Sequence, residues 1–306
     1  MMTRDALHAL RLKLAFLVVY VVWGSTYLAI RVGVQDLPPA LMTGVRYAAA
    51  GLLLTLLARL LGQSWPARRA DWVPVAVMGF CMIVIGNFFV TWGEQWVASN
   101  QAALIAASSA LWIALFGSFG RNAHRLGARS MLGLAIGFCG VAFMFWPEGK
   151  FDSTHLLAQG GILLAVLGWA TGTTYNRNNP VEVEPLMFAG LQMLAGGGAL
   201  IAGGLASGEA ARWTWTFSGI AALTYLTLFG SCLAFATYVW LIRNTTPDKL
   251  GTIGYVNPAI ATLLGWWWLD EALGPRKFAG MLIILIGVVL VSVPARRPRS
   301  IWRRMP

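Results

Sequence analysis

The chain has 306 residues, 58% of them hydrophobic and 11% charged, with a mean hydropathy of +0.65. That composition excludes a soluble globular domain and points to a membrane protein. The formal net charge of +11 could fit a nucleic-acid binder, but the basic residues lie between apolar runs, where the positive-inside rule puts them, so no nucleic-acid partner is expected.

A bilayer core takes about 20 mostly apolar residues per helix. On that criterion, spans are expected over residues 14–31, 40–61, 72–92, 97–119, 130–147, 156–176, 186–206, 217–242, 250–269 and 276–294. The first follows Arg4, Arg11 and Lys13 but is long for a signal-peptide core, holds Trp23 and Tyr27, and is followed by no small-residue cleavage site. It reads as a retained helix. Short loops leave no room for a soluble domain. Placing the N-terminus inside puts seventeen Lys and Arg on the cytoplasmic side and five opposite, with Arg46 left within a span, so both termini are expected in the cytoplasm. The tail, residues 296–306, then suits anionic lipid headgroups. Cys81, Cys139 and Cys232 fall inside apolar runs and read as small buried hydrophobes with no metal spacing. His8, His124 and His155 fall in expected loops.

The chain repeats itself. Trp23 in WGSTY matches Trp169 in WATGT, PALMTGVRYAAAG from Pro39 realigns with PLMFAGLQMLAGG from Pro185, and GLAIGFCGV from Gly133 matches GMLIILIGV from Gly280. Five spans per unit is an odd number, so the second copy enters from the other side. The expected fold class is an all-α integral membrane protein, with ten transmembrane helices as two inverted five-helix repeats, residues 1–147 and 148–295.

WGSTYLAIRVGV at Trp23, PPALMTGVRYAAAG at Pro38, the Asn257-Pro258 helix, LDEALG at Leu269 and the glycine-rich last helix together resemble the drug/metabolite transporter superfamily, in particular its ten-helix EamA-type exporters. The resemblance covers nearly the whole chain and implies an inner-membrane exporter of small metabolites. It departs in the first half, where Ser109-Ala110 stands in place of the family's proline and GRNAHRLG lacks its glutamate.

Several polar residues sit where hydrocarbon makes them costly. Arg46 within the second span is either a cavity cation for carboxylate-bearing solutes or a snorkelling side chain. Asn87, Thr91 and Glu94, spaced four and three apart, share a helix face. Glu94 reads as a proton or substrate-amine site near the outer mouth, or, more simply, as a solvated helix end. Trp23, Thr26 and Tyr27 form a polar-aromatic face of the first helix, with Trp169, Thr173 and Asn176 its counterpart on the sixth. Tyr238 and Tyr255 are candidates by position. Asn257 and the backbone loosened by Pro258 are expected along one wall of a cytoplasm-facing cavity, with Ser108 and Ser109 along the other. Trp266 to Trp268 suit an interfacial belt, and Asp270 and Glu271 a surface cap or loop contact.

No HExxH, aspartate-rich or Walker motif occurs, and no intramembrane carboxylate pair is available, so an enzyme and an ATP-driven pump are not expected, nor is any cofactor or metal. The sequence favours a secondary transporter working by alternating access on amino-acid-like or amphipathic drug-like solutes, as monomer or homodimer among membrane lipids. With only Glu94 to couple protons, a facilitator or weakly coupled exporter is expected. The competing class is a membrane interaction or lipid-handling protein of the same fold, whose interior would be mainly leucine and alanine.

Overall fold

A computed structural model describes residues 4–119, 126–145, 152–245, 247–250, 252–272 and 274–292. Every regular element among them is helical. The helices are α1 (Arg4–Gly33), α2 (Pro39–Leu60), α3 (Arg69–Gly93), α4 (Ser99–Phe116), α5 (Ala128–Phe145), α6 (Ser153–Asn178), α7 (Pro185–Ala206), α8 (Phe217–Leu241), α9 (Ile253–Leu269) and α10 (Pro275–Ser292). Seven of these, α1 to α4 and α6 to α8, are long and apolar enough to cross a membrane. The expectation of ten such spans is therefore met by seven among the described residues. The ninth span, expected from residue 250, begins at Ile253, because Pro247–Leu250 forms a separate turn. Its 17 residues reach about 25 Å, short of a hydrocarbon core of about 30 Å.

Proline starts both α2 and α7, at Pro39 and Pro185, where its fixed φ suits the first turn and its missing N–H costs nothing. Glycine stops both: Gly62 and Gly208 have φ of 81° and 74°, the left-handed backbone that a side chain resists. The amides of the first turns need acceptors, and each helix receives one from beyond the far end of the other. The Leu41 N–H of α2 donates to Glu209 Oε2 at 2.9 Å. The Met187 N–H of α7 donates to Gln63 Oε1 at 3.0 Å. The two contacts are images of each other, since 41 to 187 and 63 to 209 are both steps of 146.

The same correspondence runs through the packing. The most extensive helix pairs are α2 with α7 and α5 with α10, and three further pairs have counterparts on exchanging the first five helices for the last five: α1–α9 with α6–α4, α3–α7 with α8–α2, α3–α6 with α8–α1. Helices α2 and α7 run antiparallel, Gly44 against Gly197 and Gly51 against Gly190. Backbones touch there: a Cβ on Gly197 would lie 2.5 Å from the Ala48 nitrogen, and one on Gly51 2.7 Å from the Gly190 carbonyl. Without hydrophobic driving force inside lipid, such close approach supplies the dispersion contact that holds helices together. Both third helices also carry a π-helical stretch, Gly79–Ile85 in α3 and Leu226–Leu233 in α8. Helix α4 is interrupted at Ser108, whereas α9 runs through Pro258.

Of the cysteines, Cys81 is buried and Cys232 half-buried as expected, but Cys139 is exposed on the outer face of α5. His8 lies within α1 and His155 in the first turn of α6 rather than in loops, and His124 lies outside the described residues. The close approach at Gly197 predicts that Gly197→Ala lowers the thermal unfolding temperature in detergent, by about 1–3 kcal/mol of overpacking. Its neighbour Gly198, which faces open space, should accept alanine with unchanged or raised stability.

Candidate functional site

The interior polar groups gather where α1, α2, α3 and α8 meet. Helix α1 contributes Trp23, whose indole Nε1 donates to the Gly230 carbonyl at 3.0 Å. Gly230 lies in the π-helical stretch of α8, where the i→i+5 pattern leaves backbone carbonyls off the regular ladder. The Tyr238 ring packs against the Trp23 indole at 5.1 Å between centroids. Thr26 is buried and donates to the Trp23 carbonyl at 2.6 Å. Tyr27, half-buried, packs into the core cluster around Ile30, Met42 and Leu226.

Arg46 does not snorkel. It is 4% exposed, its Nε donates to Ser231 Oγ at 2.9 Å, and its guanidinium lies 4.6 Å from the centroid of the Tyr47 ring. Gly230 makes room for it: a Cβ there would lie 3.2 Å from Arg46 Nη2 and 3.1 Å from Thr26 Cγ2. Tyr47 in turn donates through its hydroxyl to Asn87 Oδ1 at 2.7 Å, and Asn87 Nδ2 donates to the Met82 carbonyl at 2.7 Å. Met82 is in the π-helical stretch of α3, so the same backbone irregularity anchors the polar chain from both sides. Thr91, buried, donates to the Asn87 carbonyl at 3.0 Å. The chain from Trp23 through Gly230, Ser231, Arg46, Tyr47 and Asn87 thus joins both halves of the molecule.

Glu94 lies beyond this chain, and it is not a solvated helix end. It lies in the turn after α3, outside the span, and is 0% exposed with neither carboxylate oxygen hydrogen-bonded. Arg31 donates to the Glu94 main-chain carbonyl. Burial pushes the Glu94 carboxyl well above the usual carboxylate range; the nearby Glu271 charge adds to this, while Arg31 and Arg46 oppose it. Glu271, expected as a surface cap or loop contact, caps α4: its carboxylate accepts from Ser99 N, Ser99 Oγ and Asn100 N at 2.7, 3.0 and 2.9 Å.

The other expected site residues stand apart from this cluster. Trp169 is half-buried and Asn176 exposed on α6, with Thr173 donating to the Trp169 carbonyl at 2.8 Å. Ser108 is buried and donates to the Ile105 carbonyl, and Ser109 is half-buried. Helices α4 and α9 pack antiparallel, Gly254 near Ala110 and Gly265 against Ser99, which sets Asn257 and Pro258 about level with Ser108. Asn257 Oδ1 is buried without a partner. The backbone of Tyr255 is in α9; its side chain lies outside the described residues. Trp266, Trp267 and Trp268 are all exposed at the end of α9. No cluster of metal-ligating side chains occurs among the described residues.

Sequence reasoning passed over Ser231 and Tyr47. A signal for the first existed: Gly86-Asn87 in α3 and Gly230-Ser231 in α8 are glycine-polar pairs at similar places in the two third helices.

The two ends of the molecule differ. At the end holding the α1–α2, α3–α4, α7–α8 and α9–α10 turns, carboxylates bridge the halves: Asp36 accepts from Thr216 and Ser218 at 2.6 and 2.9 Å, besides the Glu209 and Glu271 caps. At the opposite end a cavity of about 550 Å³ opens between α1 and the α8–α9 turn, lined by Leu12, Lys13, Phe16, Tyr20, Lys249 and Thr252 among others. Ser108, Ser109 and Asn257 are not among its lining residues.

An arginine, an amide and hydroxyls linked inside a bundle of membrane-length helices define a polytopic membrane protein with a polar core. The chain belongs to the EamA-like transporter family, whose profile matches residues 11–146 and again residues 156–293. It is 35% identical over 281 residues to a protein of Escherichia coli K12 named as an uncharacterized inner membrane transporter, YedA, covering 91% of this chain and 90% of that one. It is 20% identical over 281 residues to the uncharacterized transporter YoaV of Bacillus subtilis, covering 92% and 96%. A WAT1-related chloroplastic protein of Arabidopsis thaliana is 24% identical over 280 residues, covering 89% of this chain and 67% of the relative. A solved crystal structure 20% identical in sequence superposes with a TM-score of 0.62 over 92% of this chain and 96% of that one, so the fold is shared. The family, YedA and YoaV are transporters by name.

The Tyr47–Asn87 bond should carry measurable coupling. A double-mutant cycle with Tyr47→Phe and Asn87→Leu, read by thermal unfolding in detergent, is expected to give about 0.6 kcal/mol, the usual worth of an interhelical hydrogen bond in a membrane. Strict additivity would contradict it.

Proposed function

We propose that this protein is a secondary transporter that exports small metabolites, of amino-acid-like or amphipathic drug-like character, across the inner membrane by alternating access. The observation that carries the reading is Arg46: a buried cation held by Ser231 of the other half and by the Tyr47 ring, at the meeting of helices from both halves. A charge kept at membrane depth by a cross-half contact has a cost that bare scaffolding has no reason to bear. It fits a solute carboxylate, with Trp23, Tyr27 and Tyr238 as apolar walls. An interior with arginine, asparagine and threonine also weighs against the lipid-handling alternative, which would need only leucine and alanine there.

In this reading all ten helices cross the bilayer, as two inverted repeats of five, residues 1–147 and 148–295. Support comes from the reciprocal Glu209 and Gln63 caps, the paired packing and the antiparallel α2–α7 contact. Both termini are cytoplasmic by the arginine and lysine bias, with the basic tail on anionic lipid. The carboxylate end is then periplasmic and closed, and the cavity between α1 and the α8–α9 turn opens to the cytoplasm. The functional unit is a monomer or homodimer.

Counterflow in proteoliposomes with a panel of labelled amino acids, nucleosides and cationic drugs tests this. Exchange of at least one solute is expected, and Arg46→Ala should lower exchange of carboxylate-bearing solutes by about tenfold or more, from the loss of about 1.5–3 kcal/mol of charged hydrogen bonding. No exchange of any solute by the wild type, with folded protein, would contradict the reading.

A further inference from the structure

Arg46 and the aromatic groups account for solute binding but leave Glu94 without a task. Its carboxylate is fully buried and both oxygens lack a hydrogen-bond partner. Five residues on, Ser99 and Asn100 give three hydrogen bonds to Glu271, which reaches them from the α9–α10 turn in the other half. Gly265 leaves the room for that carboxylate, which a Cβ would overlap. Three donors thus meet one carboxylate at a helix N-terminus and tie the α9–α10 turn to α4. The groups facing Glu94 are Arg31 and Tyr27 from α1, Arg46 from α2 and Glu271 itself; from α6, His155 lies against the Trp96 carbonyl. Helix α4 presents Asn100, whose side-chain amide is also buried and unpartnered.

A charge on Glu94 in this arrangement would be buried, without hydrogen bonds and near a second carboxylate. An ion left so costs several kcal/mol, and losing the charge is the ordinary escape. We propose that Glu94 is a proton-binding site that controls the Glu271 latch on α4. With a proton on one Glu94 oxygen, the carboxylate end is closed as described here. When that proton leaves to solvent, repulsion between Glu94 and Glu271 frees Ser99 and Asn100 and the end opens. Acid therefore favours closure, and alkali opening. This deepens the transport reading, on which the latch's place in a cycle rests, and replaces the expectation of a weakly coupled facilitator with a proton-linked one.

Spin labels at Trp96→Cys and Ala272→Cys, with Cys81, Cys139 and Cys232 replaced by serine, report the distance across the latch in proteoliposomes. Between about pH 5 and about pH 9, well to either side of neutral, the parent should pass from one short distance to a mixture with a longer one. Glu94→Gln, which mimics the protonated acid, should stay short at both, Glu94→Asp should keep the response, and Glu271→Gln should show the long distance at both. A pH response that survives in Glu94→Gln, or a Glu271→Gln variant indistinguishable from the parent, overturns the proposal. If the parent responds and Glu94→Gln does not, yet no solute exchanges in counterflow, the latch stands and the transport reading falls.

Discussion

Two helices of this protein start inside it, and their first-turn amides must be met where water does not reach. Buried backbone donors are almost always paired. Here Glu209 meets Leu41 and Gln63 meets Met187, so each helix of the central pair is tied to the loop that follows its partner. These caps fix the register of α2 against α7, and that register brings Gly44, Gly51, Gly190 and Gly197 into backbone contact. The rest of the packing follows from that axis, with α3 and α8 laid across it in matching ways.

The framework is nearly symmetric and its contents are not. Arg46 on α2 and Gln192 on α7 occupy matching places, 146 apart and both 4% exposed, yet only one is charged. Likewise Trp23 reaches a backbone carbonyl of α8 while Trp169 is half-buried on α6. The first half contributes buried Arg46, Glu94 and Asn100, the last two with side-chain atoms that find no hydrogen-bond partner. The second half supplies what they lean on: Gly230, Ser231 and Glu271. A nearly symmetric scaffold thus carries an asymmetric set of groups.

The helical class, the membrane environment and the family were all legible in the sequence, because each depends on long-range averages of apolar residues or on matched segments such as those at Pro39 and Pro185. What escaped was local and three-dimensional. Glu94 looked like a helix end in water because position along a chain does not reveal what folds over it. Glu271 could be read as a cap or loop contact but not as the cap of α4, because the donors it meets, at Ser99 and Asn100, lie 172 and 171 residues away. The π-helical stretches that free the Gly230 and Met82 carbonyls leave no mark in apolar periodicity. The ninth span was read too long because Pro247–Leu250, polar at Asp248 and Lys249, forms its own turn.

The central claim is that the two halves sit in the membrane upside down relative to one another, with the carboxylate end outside. Trp65 and Ala211 test it together, being counterparts 146 apart in the α2–α3 and α7–α8 turns and both exposed. Single cysteines at these positions, in protein with the three native cysteines replaced by serine, would be exposed to a membrane-impermeant thiol reagent in intact cells. The account predicts labelling at position 211 and none at 65 until the membrane is opened. Labelling of both from the same side would contradict it.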